Sequence, residues 1–136
     1  LETFLRSKLD WSEAQRHAPV LRLYRDLLRL RRTDPVLAAD GAVESGAVGE
    51  QALYLLRRQG REVRLLLANL GEALSLPLSA LPPRLPALRP LLSTADAAYH
   101  LSPPEEQAVA PAARAAGGVI VLPRHTAMLL AGEQPV

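Results

Sequence analysis

At 136 residues the chain has room for one ordinary domain core and an appended element, and its 16 basic against 14 acidic residues leave a net charge of only +2. The absence of cysteine excludes a disulfide framework and a thiolate metal site. With no apolar run of membrane-spanning length, no charged-then-apolar leader and Leu1 in first place, a cytoplasmic protein that is part of a longer chain is expected.

Residues 1–16 read as an irregular lead-in, in which Ser12 and Glu13 open a short helical turn after Trp11. A long helix is predicted from about Ala18-Pro19, because proline in the first turn loses no needed hydrogen bond and has its φ preset. At about 100° per residue, Val20, Leu21, Leu23, Tyr24, Leu27, Leu28 and Leu30 cover half of the circumference, and Arg22, Arg25, Asp26, Arg29 and Arg32 the other half. Arg31 falls inside the apolar arc, near the C-terminal end where the helix dipole favours a cation. Pro35 stops the helix. The predicted organisation is therefore a first unit over 1–37, a linker over 38–49 and a β domain over 50–136.

Within that last unit the period falls to two. Gln51 to Arg58 and Glu62 to Leu70 are strand-like runs joined through Gln59-Gly60-Arg61, a hairpin signal. Val63, Leu65 and Leu67 share one face of the second run and Leu66, Ala68 and Leu70 the other, so it reads as a central strand, apolar on both sides. Leu74, Leu76 and Leu78 alternate with smaller residues, and Ala87 to Thr94 is a further strand whose Pro90 suits a sheet edge. The Pro- and Ala-rich stretch 102–116 reads as a surface loop. Gly118 to Leu122 and His125 to Ala131 are expected to close the chain as a hairpin around Pro123-Arg124, with Leu65, Leu67, Val119 and Val121 facing inward. The fold class is mainly β, an antiparallel sandwich preceded by one long amphipathic helix.

Chemistry is sparse. Asp10 with Glu13, or Glu105 with Glu106, are the carboxylates nearest to an acid and nucleophile pair. The first two suit a helix start, and the second two keep a loop solvated, so no catalytic residue is assigned. His17, His100 and His125 stand apart from one another and from carboxylates, and neither a metal nor a cofactor is expected. Arg57, Arg58, Arg61 and Arg64 surround one hairpin, yet there are eight basic against nine acidic residues beyond Asp34. A solvated hairpin tip fits this balance, and nucleic acid is not an expected partner, nor is a membrane. Trp11, with Tyr24, Tyr54 and Tyr99, offers either a platform for stacking sugars or packing of the lead-in onto the body. Lys8 is the lone lysine, with reach to a substrate hydroxyl or a loop carbonyl. Lys8 and Trp11 are the candidate substrate-binding residues.

Thr3-Phe4 followed by Ser7-Lys8-Leu9-Asp10-Trp11, the helical run Leu21 to Arg32, and Asp34-Pro35-Val36-Leu37 resemble the end of the catalytic barrel in the α-amylase superfamily of glycoside hydrolases. Within it the wording is most similar to the malto-oligosyltrehalose trehalohydrolase family. The resemblance is specific over residues 3–37 and generic beyond. It implies that Ala18 to Arg32 is the last outer helix of a (β/α)₈ barrel lying upstream in the same chain, and that 50–136 is the β-sandwich C-terminal domain. It further implies a parent enzyme that cleaves the α-1,4 bond next to the terminal trehalose of malto-oligosyltrehalose, with its catalytic carboxylates outside this stretch. Two alternatives stay open: the same region of another α-amylase-type glucan hydrolase or of a branching or debranching enzyme, and a β module that binds glycan or protein.

Overall fold

The computed structural model describes residues 3, 6–8, 10–81, 88–100, 114–116 and 118–134. Helix α1 spans Glu13–Arg16, α2 Ala18–Thr33 and α3 Pro35–Ala38. Among the described residues eight strands follow: β1 Val43–Val48, β2 Ala52–Gln59, β3 Glu62–Asn69, β4 Leu74–Pro77, β5 Leu88–Ser93, β6 Arg114–Ala116, β7 Val119–Leu122 and β8 Ala127–Glu133. They form a five-stranded sheet in the order β1-β2-β3-β8-β5 and a three-stranded sheet in the order β4-β7-β6, with antiparallel pairing throughout. The protein is thus mainly β, an antiparallel sandwich preceded by a long amphipathic helix. Among the described residues no helix is long and apolar enough to cross a membrane.

The core lies between the sheets. Tyr54, Leu56, Val63, Leu65, Leu67, Met128 and Leu130 from the larger sheet meet Leu76, Ile120 and Leu122 from the smaller, with Leu81 closing one end. Strand β3 occupies the middle of the larger sheet, as its two apolar faces predict, and β5 with Pro90 forms an edge. Proline offers no N–H to a ladder, and the β5–β8 register shifts between Pro90 and Leu92.

Several sequence expectations change. Residues 43–48, inside the stretch read as linker, form β1. Its Gly46 lies opposite Tyr54, and a Cβ there would come within 2.7 Å of the Tyr54 ring, so the strand gives up a side chain to seat that ring. Pro35 ends α2 but also opens α3, because Asp34 caps the new helix. Arg114–Ala116 pair with β7 as β6; the rest of the 102–116 expectation, and Glu105 and Glu106 with it, lies outside the described residues.

The predicted terminal hairpin is not formed. Strand β7 pairs with β4 and β6, whereas β8 pairs with β3 and β5, so residues 123–126 carry the chain from one sheet to the other. Pro123 has no N–H for a hairpin ladder, and His125 turns the chain at φ 49°. The buried Asn69 side chain fixes the corner: its Nδ2 donates to Glu72 O at 2.7 Å and Pro123 O at 2.9 Å, and its Oδ1 accepts from Gly71 N. The face of β7 also differs by one residue from expectation. Pairing of Leu76 with Ile120 and Leu74 with Leu122 turns Ile120 and Leu122 inward, leaving Val119 39% exposed and Val121 half-buried.

Candidate functional site

The feature that the β core leaves unexplained is α2. Its half-buried residues Pro19, Leu23, Asp26 and Leu30 recur at helical spacing and face the sandwich. Midway along it, Tyr99 Oη donates to Asp26 Oδ2 at 2.8 Å, and Arg29 Nη2 donates to Asp26 Oδ1 at 2.7 Å. Burial, then the bond to Asp26, raises the Tyr99 pKa above the ordinary tyrosine value.

A second apolar stripe, Val20, Leu21, Tyr24, Leu27 and Leu28, is displaced from the first by about a third of the circumference, and each of its members is 38–62% exposed. No residue of α2 is fully buried. Between α2 and the outer face of the larger sheet runs a groove of about 480 Å³, lined by Leu27, Leu30, Leu37, Leu66, Leu92 and Leu129, with Arg31 and Arg57 among its polar groups. One helix therefore presents two apolar faces, one to its own sheet and one that the described residues leave uncovered.

The joint between helix and sandwich is polar and tightly bonded. Asp34 Oδ1 accepts from Val36 N and Leu37 N, both at 3.1 Å, which caps α3. Its Oδ2 accepts from Arg64 Nε at 2.7 Å, with the two side chains 11% and 7% exposed. Arg64 also donates to Glu62 Oε2 at 2.8 Å and Val63 O at 2.9 Å. Burial opposes its charge, but the bonds to Asp34 and Glu62 outweigh it and hold the pKa above the ordinary arginine value. Directly across the β2–β3 ladder, Arg57 Nη1 donates to Leu37 O at 2.8 Å, while its buried Nε has no acceptor among the described residues. Two strand arginines thus grip the short helix, one through its cap and one through a carbonyl at position 37.

The hairpin arginines are consequently not an open basic ribbon. Arg57 and Arg64 serve the joint, Arg58 pairs with Glu44 at 2.8 Å, and Arg61 donates to Gln134 O at 3.4 Å. Of the aromatic candidates, Tyr54 is buried in the core and Tyr99 is half-buried under α2, so they form no platform with Trp11. Trp11 is 77% exposed and does not pack the lead-in onto the body. Lys8 is exposed on the same lead-in segment. Asp10 Oδ1 accepts from Ser12 N at 2.9 Å; hydrogen bonding from the Ser12 side chain first, and from its backbone second, lowers the Asp10 pKa, and Glu13 sits in the first turn of α1, so both act at a helix start. Among the described residues, no three His, Asp or Glu side chains gather as a metal-ligand set. Nothing in the sequence separated Arg57 and Arg64 from the other hairpin arginines; only their cross-strand pairing, visible once the turn is fixed at Gly60-Arg61, aligns them.

Comparison with known proteins bears on this arrangement. No family model matches the chain. It is 48% identical over 75 residues to a malto-oligosyltrehalose trehalohydrolase of Deinococcus radiodurans, covering 52% of this chain and 12% of the relative. It is 41% identical over 100 residues to one of Rhizobium sp. (strain M-11), covering 71% and 15%, and 43% identical over 74 residues to one of Brevibacterium helvolum, covering 53% and 12%. The chain spans 12–15% of the length of these curated relatives. A match of 100 residues cannot be confined to 3–37, so the likeness reaches into the sandwich, further than the lead-in and helix motifs alone suggested. In fold, the chain resembles part of the α-glucosyl transfer enzyme XgtA, with a TM-score of 0.59 at 23% identity over 90% of this chain and 19% of that one. It likewise resembles part of Eubacterium rectale Amy13B, with a TM-score of 0.53 at 15% identity over 78% and 18%. Over up to 71% of its length the chain is thus similar to a stretch of malto-oligosyltrehalose trehalohydrolases.

Proposed function

We propose that this chain is the non-catalytic C-terminal part of an enzyme that cleaves the α-1,4 bond next to the terminal trehalose of malto-oligosyltrehalose, releasing trehalose. Its task there is to complete and brace a catalytic (β/α)₈ barrel lying upstream in the same polypeptide, with α2 as the last outer helix. The observation that carries this reading is the pair of apolar faces on α2. A helix that only capped its own sandwich would need one face, whereas a helix set between two bodies needs both. The joint at Asp34, Arg57 and Arg64 would then fix the angle at which the sandwich meets the barrel.

The reading is tested in the longer enzyme with Leu28→Asp, which places a charge in the uncovered stripe. Loss of thermal stability and of trehalose release together, with the 136-residue chain itself unfolding at an unchanged temperature, is the expected result. An unaffected enzyme would show that the stripe faces water and would remove the bracing role. The same assay separates relatives within the superfamily, since release of maltose or maltotriose without trehalose would assign the chain to a different glucan hydrolase.

A further inference from the structure

We infer that the uncovered stripe of α2 docks on a partner surface whose apolar patch is bordered by carboxylates, and that Arg25 and Arg32 select that surface. The inference rests on the reading of α2 as a docking helix and adds the charge of what it meets. Helix α2 carries five arginines and a single acid, Asp26. Arg29 is satisfied by Asp26, but Arg22, Arg25, Arg31 and Arg32 make no ion pair among the described residues. Residues four apart on a helix are neighbours on its surface, so Arg25 lies beside Leu21 and Arg32 beside Leu28, on the solvent side of the stripe. The opposite side is flanked by the sandwich. The stripe is therefore an apolar seam, interrupted by Arg31 four residues after Leu27, with a positive border and no internal counter-charge.

A second copy of the chain is disfavoured as occupant, because self-pairing along this seam would set arginines against arginines. An anionic lipid surface would satisfy the charge. The proposed function, however, sets an upstream protein body against this helix, so a packed protein surface is the occupant argued here.

Two synthetic amphipathic helical peptides with the same leucine face, one bordered by glutamates and the other by lysines, provide the probe. Fluorescence anisotropy of each is titrated with the full 136-residue chain. The glutamate peptide is expected to bind about tenfold more tightly, with the advantage shrinking as salt rises. Arg25→Glu with Arg32→Glu should reverse the preference, and Arg25→Gln with Arg32→Gln should abolish it; both positions are exposed, so the fold is not at stake. Equal binding of both peptides, lost in Leu28→Asp, would overturn the charge selection while leaving the docking face intact. No binding of either peptide would overturn both. Sedimentation of the chain alone as a dimer, or binding to phosphatidylserine vesicles in preference to the glutamate peptide, would assign the face to a different occupant and overturn the inference.

Discussion

Replacing Asp34 by Ala removes three contacts at once: two cap bonds to Val36 N and Leu37 N, and the 2.7 Å bond to Arg64. Loss of an N-cap costs about 0.5–2 kcal/mol. Breaking a fully buried ion pair costs about 3–5 kcal/mol, because a charge is left without compensation. Here Arg64 keeps Glu62 and Val63 O, so the electrostatic part falls toward the cost of one charged hydrogen bond, about 1.5–3 kcal/mol. The total expected from urea denaturation of the 136-residue chain is about 2–5 kcal/mol. Asp34→Asn divides it, since Asn caps as well as Asp but gives Arg64 no negative charge, so Asn should recover the cap share alone. A loss within about 0.5 kcal/mol for Asp34→Ala, the range of ordinary surface changes, would refute the joint.

Leu67→Ala, with no exposed surface to begin with, should cost about 2–5 kcal/mol in the same assay, and Ile120→Ala a similar amount, whereas Val119→Ala should change little; the reverse order for 119 and 120 would restore the other register of β7. Gly46→Val should cost about 1–3 kcal/mol, because its side chain must displace the Tyr54 ring. The raised pKa of Tyr99 means that folding favours its neutral form. Its contribution is complete below the ordinary tyrosine pKa of 10.0 and is lost as pH rises through the folded value, so Tyr99→Phe should flatten the alkaline limb of a stability–pH profile; an unchanged limb would count against the Asp26 bond.

The helix was legible because Pro19 opens it, Pro35 ends it and its leucines keep a strict period; β3 was legible because both of its faces are apolar. Strand β1 was not, since Val43-Glu44-Ser45-Gly46-Ala47-Val48 has little β-propensity and is held by pairing with β2 and by the Tyr54 ring over Gly46. The β7 and β8 runs lie only four residues apart, the spacing of a hairpin, and local pattern cannot say that they enter different sheets. That decision rests with Asn69, far away in sequence, whose amide holds the carbonyl of Pro123. The joint was hidden for the same reason: Asp34 and Arg64 are 30 residues apart and meet only after the sandwich has formed. What the sequence showed of function was the family wording around Trp11 and the helix, and the comparisons extend it into the β domain.

The most direct test of the account is trehalose release from malto-oligosyltrehalose, measured for the purified 136-residue chain and for the longer enzyme at equal molarity. The account predicts release by the longer enzyme and none by the chain, because a retaining glycosidase needs two carboxyl groups about 5–5.5 Å apart and this chain is assigned none. Release by the chain alone, abolished by changing Asp10, Glu105 or Glu106, would contradict it.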